Sequence, residues 1–88
     1  MTQRFSNAIE ATKVFDALRE QVYSLPYNRD LRKLLSNIRI MIDDFSKEEV
    51  DAKRNKTLHH IYTGTAYKKL TESIENIEQL ILLATLLQ

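Results

Sequence analysis

Apolar residues return along this chain at steps of three and four almost from its start. Ala8, Ala11, Phe15, Leu18, Val22 and Leu25 follow that spacing, which stacks side chains on one face of a helix. Ser6 and Asn7 stand just ahead of the run, where a side-chain oxygen can accept from the free amides of a first turn. The stretch "SLPYNRD" ends the pattern: Pro26 has no amide hydrogen and steers Leu25 away from helical backbone. Asn28 or Asp30 can then cap a second helix. In that second segment Leu31, Leu34, Leu35, Ile38, Met41, Ile42 and Phe45 make a broad apolar stripe, with Arg32, Lys33, Arg39 and Asp43 largely outside it. Its face is wide enough for a core.

Ser46 stands three residues before Glu49 in "SKEE", the spacing of a capping box, so a third helix is expected to begin there. Val50, Leu58, Ile61 and Thr65 would lie on or near its inner face, with residues 51–57 frayed or looped. A fourth helix is expected after Thr71 or Ser73, burying Ile74, Ile77, Leu80, Ile81, Ala84 and Leu87 or its neighbours. Glu72, Glu75 and Glu78 would form an exposed ridge, with Glu72 and Glu75 close enough to the helix start to be favoured by its dipole. One Gly and one Pro in the whole chain leave little punctuation for a many-turned sheet. Amphipathic helices joined by short connections pack as antiparallel neighbours, so the predicted fold is all-α, an antiparallel four-helix bundle in one domain spanning residues 1–88. A three-helix monomer, or an intertwined dimer in which residues 47–69 form one continuous arm, is the alternative. The long apolar face of the last segment keeps a homodimer open.

Composition narrows what such a bundle does. At 88 residues and 43% hydrophobic content the core is modest, with little room for a separate catalytic module. A net charge of +1 lacks the basic excess of a nucleic-acid footprint. The absence of cysteine removes disulfides and thiolate metal sites, which fits the cytosol. Glu10, Thr12 and Lys13 interrupt any leader-like apolar run near the start, and the longest apolar stretch, "LILLATLL", is far shorter than the roughly 20 residues of a membrane span. A cytoplasmic protein is expected, peripheral to a membrane at most.

Candidate chemistry is sparse. His59 and His60 are adjacent and diverge by about 100° on a helix, so they do not converge on a metal as an i, i+4 pair would. Asp43 and Asp44 diverge in the same way, and no nucleophile elbow is present. Gly64 stands alone, without the frame of a phosphate loop. No catalytic, cofactor-binding or metal-ligating residue is therefore expected, and no cofactor. Lys53, Arg54, Lys56, Lys68 and Lys69, with Tyr62 and Tyr67 among them, are a weak nucleic-acid signal, since basic stems often merely cover a bundle surface. Tyr23, Tyr27, Tyr62 and Tyr67 suit core margins first and partner surfaces second. The candidate partner-binding residues are His60, Tyr67, Lys68, Lys69, Glu72 and Glu75.

"LHHIYTGTAYKKL" followed by "IENIEQLI" resembles the third-to-fourth helix hairpin of the immunity proteins that guard producers of pediocin-like bacteriocins. Thr65, Ala66 and Tyr67, then Glu78, Leu80 and Ile81, occupy matching places, and "LREQVYSLPYNRDLRKLL" is similar in outline to that family's first hairpin. The resemblance implies an antiparallel four-helix bundle without catalysis, protecting its producer from the cognate bacteriocin. It also implies action at the cytosolic side of a bacteriocin-targeted membrane sugar-transporter complex, the C-terminal half setting specificity. A small self-associating helical regulator, or a nucleic-acid-binding protein, is the alternative class.

Overall fold

The computed structural model describes residues 5–56 and 64–87. They form three helices: α1 (Ala8–Ser24), α2 (Arg29–Arg54) and α3 (Thr65–Leu86). Asn7 caps α1, its side chain accepting from the Glu10 amide at 2.8 Å, and Asn28 caps α2 by accepting from the Leu31 amide at 3.1 Å. Both Asn residues are in extended backbone, as an N-cap requires.

The helices pack antiparallel in sequence. Arg32 lies over the Tyr23 ring and Arg39 over the Phe15 ring, so rising numbers in α2 meet falling numbers in α1. Leu31 at the start of α2 adjoins Leu83 and Leu87 at the end of α3, and Met41 adjoins Ala66. The middle helix carries the fold: α1 and α3 each pack mainly on α2 and meet one another little. Ala8, Ala11, Phe15, Leu18 and Val22 of α1 are buried against Leu31, Leu35, Ile38, Ile42 and Phe45 of α2 and Leu70, Ile74, Ile77 and Ile81 of α3, in one core cluster with Phe5. Each large side chain sealed there contributes about 1.5–3 kcal/mol relative to exposure.

The four-helix expectation is corrected to a bundle of three. No helix begins at Ser46, because α2 runs unbroken to Arg54. The buried positions of α2 step from Leu31 through Leu35, Ile38, Ile42 and Phe45 to Ala52, a register that turns the half-buried Glu49 inward and leaves Val50 54% exposed. Ser46 and Glu49 therefore sit within a continuing stripe, and their capping-box spacing is incidental. The last helix starts at Thr65, with Gly64 as an N-cap that supplies no side-chain bond. Thr71 is inside that helix, its hydroxyl donating to the Tyr67 carbonyl oxygen at 2.9 Å. Leu70 joins the core, Leu34, Leu80 and Ala84 are half-buried, and Leu87 is exposed. Leu58 and Ile61 lie outside the described residues.

Candidate functional site

The first turns of α3 hold most of the candidate surface. Tyr67 is half-buried, its ring centroid 5.0 Å from Phe5 and 5.8 Å from Phe45, while Phe5 and Phe45 meet edge to face at 5.7 Å. Its hydroxyl donates to the Phe5 carbonyl oxygen at 3.4 Å. Tyr67 is thus a core-margin residue that fastens the start of α3, and the ring is spoken for by the fold.

Lys68 and Lys69, the next two residues, are exposed, as are Glu72 and Glu75; Glu78 is half-buried. Lys68, Glu72 and Glu75 follow steps of four and three and share one solvent-facing ridge. Lys69 lies beside it and shares a surface depression of about 260 Å³ with Met41, Asp44, Glu48, Thr65 and Ala66. The early start of α3 reverses the electrostatics expected for this ridge. Glu72 and Glu75 are beyond the first turn, which contains no acidic residue, so they do not gain from the positive end of the helix dipole. Lys68 stands in that turn, where a cation is disfavoured by about 0.3–1 kcal/mol. His60 lies outside the described residues, as do His59 and Tyr62.

Sequence reasoning missed a second cluster. Arg32 stacks 3.9 Å from the Tyr23 centroid and 5.1 Å from that of Tyr27, while Arg19 lies 5.4 Å from Tyr23. The Arg32 Nε is buried without a hydrogen-bond partner, a cost that ring-face contact with the cation partly offsets. Tyr23 and Tyr27 remain 51% and 73% exposed, so they coat arginine rather than core. The i, i+4 spacing of Arg19 and Tyr23 was the available signal; the Arg32 partnership crosses helices. Asp16 and Glu20 border the same surface, which leaves its charge mixed.

Among the described residues no group of three or more His, Asp or Glu side chains is placed to hold a metal ion, and no described helix is long and apolar enough to cross a membrane. No protein-family model, curated protein or solved structure matches this chain.

Proposed function

We propose that the chain is a non-catalytic recognition protein of the bacteriocin-immunity type, acting through the exposed face of α3 on the cytosolic side of a bacteriocin-targeted sugar-transporter complex. The observation that carries this reading is the placement of Lys68 and Lys69: both are exposed, and Lys68 sits where the helix dipole opposes a cation. The fold gains nothing from the Lys68 charge through the helix dipole, which leaves Lys68 in particular for a partner, while Lys69 lies beside Asp44 and Glu48. Beside them Glu72 and Glu75 supply the opposite sign, and separated charges of both signs fix register and reject wrong partners more than they add affinity. Two of the segments that resemble immunity proteins, Thr65-Ala66-Tyr67 and Glu78 with Leu80 and Ile81, fall together in α3, where the resemblance puts them on a third and a fourth helix. The likeness is carried by those segments and by the outline of "LREQVYSLPYNRDLRKLL", and it does not extend to a count of four helices.

Nucleic-acid binding is the second reading, favoured by the closeness in the chain of Lys53, Arg54 and Lys56 to Lys68 and Lys69. Lys53 and Arg54, however, occupy the last turn of α2, where the dipole favours cations and the fold already accounts for them. Asp44 and Glu48 beside Lys69 further break the patch.

The test is protection. A sensitive strain producing the chain should survive one bacteriocin of the pediocin-like class and remain sensitive to others. Lys68→Glu, Lys69→Glu and the double variant, produced at matched levels, should keep their helicity and lose protection, the double variant by tenfold or more in the dose tolerated, on the order of one lost charge-assisted contact. Full protection by the double variant would remove the lysines from the surface. Killing of the wild-type producer by every member of the class would end the immunity reading, and tight, steeply salt-dependent DNA or RNA binding would favour the second.

A further inference from the structure

The other end of α3 is unlike the first. Leu82, Leu83, Leu86 and Leu87 are 60%, 54%, 70% and 86% exposed. At 100° per residue these four span an arc of about 140°, facing away from the buried Ile74, Ile77 and Ile81. We propose that this leucine face is a two-fold interface with a second copy of the chain.

Area is the first ground. The exposed fractions together equal between two and three whole leucines, on the order of 500 Å² and high within the roughly 300–600 Å² of the largest apolar patch on an ordinary monomer. If a two-fold axis covered all of it, the leucines alone would bury at most about 1,000 Å², the lower limit of a specific protein interface. Shape is the second. Beside the ridge of Leu82 and Leu86 lies a depression of about 270 Å³, with Asn28, Asp30 and Leu31 at the start of α2 on one wall and Leu80, Leu83, Ala84 and Leu87 of α3 on the other. A ridge and a groove side by side are self-complementary, since a two-fold axis sends each ridge into the other groove.

Charge weighs against the competing occupants. No charged residue occurs between Glu78 and Gln88, and the last turn of α3 has no basic side chain. A helix lying on a lipid surface carries Lys and Arg along its polar flank, and a charged partner would call for the opposite charge here. The α3 side of the face is uncharged and apolar, which suits the leucines of a second copy, with the exposed Asp30 carboxylate at the margin of the depression. The interface lies further along the same side of α3 as the proposed recognition ridge, Lys68 preceding Leu82 by about 21 Å of helix.

Sedimentation equilibrium of the full chain from low to high micromolar concentration tests the proposal. The wild type should pass from monomer to dimer and stop there. Leu86→Glu should weaken dimerisation by about 100-fold or more, because it seats a carboxylate in an apolar contact. Helicity should be unchanged, since Leu86 is exposed in the single copy; if that variant loses helicity, Leu82→Ser with Leu86→Ser gives the same reading with neutral side chains. Ile9→Glu alters an equally exposed apolar residue of α1 and should dimerise as the wild type does. Lys68→Glu should do so too, which keeps failure of dimerisation distinct from failure of protection. A wild type that stays monomeric throughout overturns the interface, as does an unweakened leucine variant or equal weakening by Ile9→Glu. Flotation of a monomeric wild type with phosphatidylcholine vesicles would give the face to lipid instead.

Discussion

At Glu10 one carboxylate ties the entry of α1 together. Its Oε2 accepts from the Ser6 amide and the Ser6 hydroxyl, each at 2.9 Å, while its own amide donates to Asn7. These bonds hold the Glu10 pKa below the ordinary glutamate value: the Ser6 amide contributes most, then the Ser6 hydroxyl, desolvation opposes them, and Lys13 adds the smallest attraction. A carboxylate whose folded pKa is depressed stabilises the fold fully above its unfolded pKa, and that increment disappears as pH falls through the folded value. Glu10→Gln should therefore lower the melting temperature slightly at neutral pH, and the gap from the wild type should close as the pH falls through the lowered Glu10 pKa. A gap that is constant across the acid range would separate this carboxylate from the cap. Residue-scale features of this kind were legible in part, because an N-cap is a local device: the sequence offered Ser6 or Asn7 and Asn28 or Asp30, and the folded chain uses Asn7 and Asn28. The arginine coat on Tyr23 and Tyr27 was not legible, since Arg32 reaches Tyr23 only after two helices have docked.

Among the elements, α1 and the first half of α2 followed their apolar period, whereas the joints of the C-terminal half did not. The spacing of Ser46 and Glu49 satisfies a capping box anywhere it occurs; only the buried positions Phe45 and Ala52, two turns apart on one stripe, show that the helix continues. At α3 the reverse held, for Gly64 gives no side-chain cap and Thr71 mimics one while bonding within the helix. The candidate ridge was readable as residues, yet its dipole setting depended on a helix start seven residues earlier than the first one expected. Ser46→Ala separates the two accounts of α2 by sign. In a helix interior the change removes a residue of weaker propensity and should be neutral or stabilising by up to about 0.5 kcal/mol. At an N-cap it would cost about 1 kcal/mol. Urea unfolding of the variant, read by circular dichroism, decides between them; a clear loss of stability would restore a helix boundary at this position.

For the molecule as a whole, the arrangement of two helices on a central third makes the aromatic cluster unusually important. α1 and α3 meet little directly, so Phe5 is a main tie between the N-terminal strand of chain and the C-terminal helix: it is 1% exposed, touches Phe45 and Tyr67, and receives the Tyr67 hydroxyl on its carbonyl oxygen. Phe5→Ala should cost about 3–5 kcal/mol, a large share of the roughly 5–15 kcal/mol that holds a domain of this kind together. Because the three helices share one core cluster, the loss should appear as a lower midpoint of a single transition, with no separate melting of α1. Tyr67→Ala, which removes the opposite ring, should not add independently: side chains in contact couple by about 0.5 kcal/mol or more in a double-mutant cycle, while distant ones add. Leu31→Ala, at the far end of α2 from Phe45, provides the distant partner, and its effect should sum with that of Phe5→Ala. Equal additivity in both cycles would mean that Phe5 covers the bundle without tying it. Coupling confined to Phe5 and Tyr67 would instead show that the N-terminal ring holds the first turn of α3, so that Phe5→Ala should also reduce protection under conditions where the protein remains folded, by loosening Lys68 and Lys69 without touching either.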